Sequence, residues 1–356
     1  MRQVKSSWAM IPDFVALPLW LTAIVFGAAA AVVWLAGSRL AGYANVLADH
    51  TGIGKAFTGL VLLGGVTSLP EAAVSVTAAM DGDAALAINN LLGGVTMQVT
   101  ILAAGDLLVR RAITTVVVQP AVILQGAFGV LMLTIVAAAV AIGEIGFAGV
   151  GLGSLTLVVL CATGVWMAKA DENLPGWTAV NRPPPDTALP ARSSEPAREI
   201  RLMALVGRIG VAGVVVLLAG VLLARTGEAV AERTALGSSF VGAVLVAIST
   251  SLPEISTVIA AIRLGQYGMA FSDVFGTNLF DIALIFVVDA FYPGQAVLLA
   301  VGNFSLFAAL LGAAATLIYM IGLIERRDGA LPRIGYDSLA VATLYLCGLV
   351  VMYRLR

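Results

Sequence analysis

Charge is what this sequence has least of. Only 12% of its 356 residues are Asp, Glu, Lys or Arg, about half the share usual in a soluble domain, while 60% are apolar. That excludes an ordinary soluble enzyme. Twenty basic residues against twenty-one acidic ones leave a net charge of -1, so neither a nucleic-acid partner nor an acidic disordered chain fits. Cysteine and histidine are scarcer still, with two of the first and one of the second. Cys161 and Cys347 lie in apolar runs and His50 follows Asp49 in what reads as a loop. A disulfide framework and a Cys/His metal centre are thereby excluded, and no cofactor is expected. A hydrolase that pairs Ser with His, or holds zinc through His, has no residues to work with. The expected class is not an enzyme.

What the sequence does contain is long apolar runs, enough for about ten membrane spans. They fall at 17–37, 56–80, 84–105, 115–142, 146–168, 202–224, 238–262, 267–291, 295–323 and 335–353. The fold class read from them is an all-α membrane protein embedded in the lipid bilayer. Asp13 interrupts the N-terminal apolar stretch, which is also too long for a signal peptide, so a retained first helix is expected. The segment 170–201 holds Pro175, Pro183, Pro184, Pro185, Pro190 and Pro196 among polar residues and reads as a linker. The resulting division is a tail over 1–16, a five-helix repeat over 17–169, the Pro-rich linker over 170–201 and a second five-helix repeat over 202–356.

The two halves are copies. Shifting the chain by 183 positions without a gap aligns Gly37 with Gly220, Gly59 with Gly242, Gly93 with Gly276 and Asp106 with Asp289. The same register matches Thr67-Ser-Leu-Pro-Glu71 to Thr250-Ser-Leu-Pro-Glu254 over five consecutive residues, which marks an internal duplication. With five spans per half, the second copy enters the membrane from the opposite side. Such inverted-topology repeats typify secondary transporters, whose substrate site lies at the repeat interface near the midplane. Of the twenty basic residues, all but Arg2, Lys5, Arg225, Arg233, Arg354 and Arg356 lie in connections that follow spans 1, 3, 5, 7 and 9. The positive-inside rule makes that side cytoplasmic, with the linker inside and both termini outside, in the plasma (inner) membrane.

Each Thr-Ser-Leu-Pro-Glu block sits within an apolar run, where a carboxylate costs some kcal/mol and is retained for function. Pro70 and Pro253 remove a backbone donor and free the carbonyls of Val66 and Ser249, four residues back. A broken helix at membrane depth is tolerated where it lines a protein-enclosed cavity. Hydroxyls, freed carbonyls and a carboxylate then lie within about one and a half turns. They are hard oxygen ligands suited to Ca2+ or Na+. The following spans supply partners: Asn89-Asn-Leu-Leu-Gly-Gly-Val-Thr-Met-Gln98 in one half and Ser272-Asp-Val-Phe-Gly-Thr-Asn-Leu-Phe-Asp281 in the other. Register pairs Gly94 with Thr277, Val95 with Asn278 and Gln98 with Asp281, so the second half is richer in oxygen. A divalent ion would neutralise two of the carboxylates Glu71, Glu254 and Asp281, and sodium ions or protons would do so in its absence. An empty, fully charged site is too costly to move between two access states, which is the physical basis of exchange.

At these residues the chain resembles the calcium/cation antiporter superfamily, and within it the sodium/calcium exchanger branch. The two Thr-Ser-Leu-Pro-Glu blocks, the Gly276-Thr-Asn-Leu-Phe-Asp281 run and the five-plus-five layout are similar to its alpha repeats. The resemblance implies Ca2+ and a monovalent counter-ion as transported substrates, with a central Ca2+ site at Thr67, Glu71, Thr250 and Glu254. It assigns sodium to Ser68, Ser251, Thr277 and Asp281. The chain departs from the family pattern in its first half, where Gly93-Gly94-Val95 and Gln98 stand in place of Gly-Ser-Asn and a later Asn or Asp. Proton-coupled exchange is therefore the nearest alternative, and a cation channel a more distant one, since inverted duplication suits alternating access better than a symmetric pore.

The remaining polar residues have simpler expected roles. Asp106 and Asp289 fall near helix ends and read as solvated or capping. Asp273, one turn before Thr277, lines the ion path or bonds structurally. Asp81-Gly-Asp83 lacks the later ligands of a calcium loop and reads as a tight turn. Gly149-Leu-Gly151-Leu-Gly153 reads as helix packing within a span.

Overall fold

The computed structural model describes residues 14, 16–52, 54–109, 112–115, 117, 119–147, 149–171, 202–232, 238–325, 330–331 and 334–355. The tail expected over 1–16 and the linker expected over 170–201 lie almost wholly outside these residues. Twelve helices carry the described chain: α1 (Leu19–Thr51), α2 (Lys55–Thr67), α3 (Leu69–Met80), α4 (Ala84–Val109), α5 (Pro120–Ile142) and α6 (Leu152–Asp171) in the first half. The second half has α7 (Leu202–Glu232), α8 (Val241–Thr250), α9 (Leu252–Arg263), α10 (Tyr267–Phe291), α11 (Asn303–Glu325) and α12 (Tyr336–Leu355). Eight are long and apolar enough to cross a membrane alone. The pairs α2/α3 and α8/α9, bent by 42° and 49°, bring the number of spans to ten. This is an all-α membrane protein of two inverted five-helix repeats. Its outer surface is apolar, with Trp20, Ile24, Trp166, Val211 and Leu346 exposed, while Glu71, Asn89, Gln98, Glu254 and Asp281 are fully buried. Both observations invert the soluble pattern.

Helix starts repeat the register of the sequence. Leu19 and Leu202, Leu69 and Leu252, Ala84 and Tyr267, and Pro120 and Asn303 stand 183 positions apart. Equivalent helices also meet: α1 packs on α7, and α5 on α11. At the centre, α4 lies against α8 and α10 against α2, and matched glycines make those contacts possible. A methyl on Gly59 would stand 2.7 Å from the Met269 carbonyl oxygen, and one on Gly242 would stand 2.9 Å from that of Leu86. A methyl on Gly276 would lie 2.7 Å from the Leu60 Cα, and one on Gly93 would run into the Ala243 backbone. Each repeat thus presses a helix backbone directly onto the other. The stretches that receive this contact, Gly59–Gly64 and Val241–Val246, are π-helical. Wider turns of this kind recur at functional sites.

Several boundaries differ from the sequence reading. Span 1 continues to Thr51 instead of stopping near 37, because Leu40, Ala44 and Ala48 extend the buried face set by Ala36 at four-residue spacing. Arg39 consequently lies inside α1 and Arg208 inside α7, not in connections, and His50 is exposed in the last helical turn. Span 4 begins at Pro120, whose fixed φ suits the first helical turn. Span 5 begins at Leu152, after a two-stranded hairpin of β1 (Gly146–Phe147) and β2 (Val150–Gly151). Gly149, at φ +90°, forms its turn, so the Gly149 to Gly153 stretch is a corner rather than packing within a span. A matching hairpin, β3 (Ala330–Leu331) with β4 (Ile334–Gly335), precedes α12.

Asp106 and Asp289 are buried rather than solvated, and each binds a hairpin of the other repeat. Asp106 accepts from the amides of Ile113 (2.9 Å) and Gly335 (2.8 Å). Asp289 accepts from the amides of Val297 and Gly151, both at 2.6 Å, and from the Ser154 hydroxyl. A charged acceptor for two backbone donors contributes about 1.5–3 kcal/mol per bond. Asp289→Asn turns an amide group toward one of those donors and should lower the melting temperature of the detergent-solubilised protein by several degrees. An unchanged melting curve would show that these loops hold without it. Asp81-Gly-Asp83 is the expected tight turn, with Gly82 at φ +84° and Asp83 accepting from the Leu86 amide to start α4.

Candidate functional site

The breaks between α2 and α3 and between α8 and α9 fall within the two Thr-Ser-Leu-Pro-Glu blocks, at Ser68 and Ser251. Pro70 and Pro253 stand in the first turn of the second segment of each pair, where a missing amide costs little. Glu71 and Glu254 follow in the same first turn, at the positive end of their helices. The two breaks face each other across the repeat interface and are closed by α4 and α10.

All nine residues singled out in the sequence meet there. Thr67, Glu71, Gln98, Thr250, Ser251, Glu254, Thr277 and Asp281 have no solvent exposure, and Ser68 has 4%. Their pairing crosses between repeats. Glu71 faces Thr250, and Glu254 faces Thr67. Ser68 lies beside Asp281, and Ser251 lies 3.5 Å from the Gln98 amide nitrogen, which also donates to Asp281 at 3.2 Å. The Thr67 and Thr277 hydroxyl oxygens are 3.5 Å apart. In sequence each repeat carries its own motif, but in space each carboxylate faces the other repeat's threonine.

Hydrogen bonding leaves the oxygens of this cluster largely unpaired. The Thr67 and Thr250 hydroxyls donate to the carbonyls of Leu63 (2.9 Å) and Val246 (3.2 Å) in the π-helical turns, so their protons are engaged and their lone pairs face the site. Both carboxylate oxygens of Glu71 and of Glu254 lack a hydrogen-bond partner, as do Ser68 Oγ, Gln98 Oε1 and Asp281 Oδ1. Buried polar atoms in folded proteins are nearly all satisfied, so a concentration of unpaired oxygens fits a binding site for cations. Glu71 is close enough to Glu254 and Asp281 for the three charges to repel. Among the described residues, however, no three Asp, Glu, His or Cys side chains converge as a resident metal centre would require. A cation here would be held by a mixed set of hydroxyl, carbonyl and carboxylate oxygens, the kind of set that suits hard ions.

Gly94 has no oxygen to offer, yet its Cα faces the cluster. A Cβ there would stand 3.7 Å from Gln98 Nε2, 3.8 Å from Asp281 Oδ2 and 3.9 Å from Ser251 Oγ. Asp273 is fully buried, accepts a short hydrogen bond from Thr257 on α9 and faces Glu254. Its counterpart Asn90 receives no such bond and instead donates to Ser75 on α3 at 3.0 Å. Both therefore tie a broken span to the helix that follows. The sequence reading missed the π-helical turns, which only their glycines foreshadow.

Known proteins resemble this chain over most of its length. The model of the sodium/calcium exchanger protein family matches it twice, at residues 21–167 and 204–354. Inner membrane protein YrbG of Escherichia coli (strain K12) is 25% identical over 279 residues, 78% of this chain and 82% of that protein. Putative antiporter CaxA of Alkalimonas amylolytica is 27% identical over 268 residues, 74% of this chain and 78% of that one. Among solved structures, the sodium-calcium exchanger NCX_Mj superposes with a TM-score of 0.66 at 17% identity, covering 94% of this chain and 99% of the other. At that identity the likeness is one of fold.

Proposed function

The chain belongs to the sodium/calcium exchanger protein family, and from that premise we propose that it exchanges Ca2+ for Na+ across the membrane by alternating access. The observation that carries this reading is the set of unpaired, fully buried oxygens where the two broken spans meet. Glu71 and Glu254, with the oxygens of Thr67 and Thr250, hold Ca2+. Ser68 with Asp281 and Thr277 on one side, and Ser251 with Gln98 on the other, hold the monovalent ions. One divalent ion neutralises two of three carboxylates, and two or three monovalent ions do the same work. With neither bound, the charges repel in a medium that screens them poorly, and the site cannot afford to pass between its access states. Exchange rather than uniport follows.

A second reading has its own support. Gly94 and Val95 offer no side-chain oxygen where the other half has Thr277 and Asn278, which weakens the first-half monovalent site and favours protons as the counter-ion. Radiolabelled Ca2+ uptake into proteoliposomes decides between them. Uptake driven by an outward Na+ gradient at symmetric pH supports sodium coupling, and uptake driven only by a pH gradient without Na+ overturns it. Gly94→Ser fits the space described and adds a hydroxyl to the cluster. The half-saturating Na+ concentration should fall roughly 2- to 10-fold, the worth of one added polar contact. An unchanged value would place the monovalent site elsewhere.

The plasma (inner) membrane is the proposed location, as the name of the Escherichia coli relative also supports. The bias of basic residues supports an orientation with both termini outside the cytoplasm and the Pro-rich linker inside.

A further inference from the structure

The helices α1 and α7 run antiparallel and meet along a groove of about 590 Å3 on the outer surface, within the ~300–1,000 Å3 range of pockets that bury a small ligand. Val32 and Leu35 on one side and Val211 and Val215 on the other line its apolar length. Val32, Leu35 and Val211 are 43%, 54% and 66% exposed, so the groove faces hydrocarbon rather than protein. Antiparallel packing brings Arg39 and Tyr43 of α1 to the same end of the groove as Arg208 of α7. Arg39 lies about 30 Å along α1 from Leu19, one hydrocarbon thickness, and Arg208 about 9 Å from the start of α7. Arg39 and Arg208 are both exposed, and among the described residues neither has an ion pair or hydrogen bond.

We propose that this groove binds an anionic phospholipid, its phosphate held between Arg39 and Arg208 and an acyl chain laid along the valines. Two cations at one end of an outward-facing apolar channel match that amphiphile in both charge and polarity, and basic pockets between membrane helices commonly receive such headgroups. A free phosphate would use the arginines but leave the apolar length without a purpose. The two helices that form the groove also pack on the broken spans. Gly37 on α1 abuts Pro253 and Ser256, and Gly220 on α7 abuts Pro70, so an occupant presses on the helices that seat both motif prolines.

The test is lipid retention by the full chain, read apart from transport. Protein exchanged extensively into neutral detergent is offered phosphatidylglycerol or phosphatidylcholine, and bound lipid is counted by native mass spectrometry. The wild type should keep phosphatidylglycerol and release phosphatidylcholine. The double variant Arg39→Gln, Arg208→Gln should bind phosphatidylglycerol roughly 30-fold more weakly, the loss of two guanidinium attractions to a headgroup. Arg263→Gln, at the end of α9, should behave as wild type. Should the double variant fail to fold, Val211→Trp fills the groove and leaves both arginines in place, and it should expel the lipid equally. Equal retention of both lipids, retention by the double variant, or displacement of the lipid by inorganic phosphate alone would overturn the proposal.

Discussion

Glu254→Gln is expected to abolish measurable Ca2+ uptake into proteoliposomes while leaving the protein folded. Glutamine keeps the volume and one carbonyl oxygen but removes the charge, and no hydrogen bond is broken, because neither Glu254 oxygen has a partner. The fold therefore loses nothing that held it, and relief of repulsion with Asp281 and Asp273 should raise the melting temperature in the absence of Ca2+. Ion binding bears the full loss. Truncating one partner of a fully buried charge pair costs about 2–5 kcal/mol, on the order of 30- to 4,000-fold in affinity. Glu71→Gln should match it, since each carboxylate faces the other repeat's threonine and the two halves contribute alike. Uptake and melting should be measured on the same preparations. Full flux in Glu254→Gln would remove the central site from this cleft.

The duplication was legible because identities such as Gly59 with Gly242 and Thr67 with Thr250 survive at one fixed offset, and inversion followed from five spans per half. The nine cluster residues were legible because polar groups are rare in such apolar runs. What sequence could not supply was partnership. That Glu71 meets Thr250 rather than Thr67, or Ser251 meets Gln98 rather than Asp281, depends on the pseudo-twofold that brings the two breaks face to face. Chain breaks were harder for a related reason. The extension of α1 past Arg39 rests on burial of Leu40, Ala44 and Ala48 against neighbours, not on hydropathy, and Asp289 finds its amide partner at Gly151, 138 residues away. Local pattern carries no signal of such contacts.

Gly93→Ala is the most demanding test of the packing that positions this cluster. A single methyl ordinarily favours a helix, and Gly129→Ala in α5, where nothing lies within 4 Å of the added carbon, should raise stability by up to about 1 kcal/mol. At Gly93 the same methyl meets the Ala243 backbone at the π-helical turn, and at Gly276 it meets Leu60 at 2.7 Å. Backbone cannot rotate aside as a side chain can, so α4 must draw back from α8, or α10 from α2. Overpacking of this kind costs about 1–3 kcal/mol. The larger effect falls on transport. Gly93 lies five residues before Gln98 and Gly276 five before Asp281, and a displacement near 1 Å in a preorganised site reduces turnover roughly 100-fold. Both variants should therefore melt below Gly129→Ala and lose Ca2+ uptake. Had either glycine been retained only for flexibility, its alanine variant would gain stability and keep its flux, whereas close contact between the repeats predicts the loss of both.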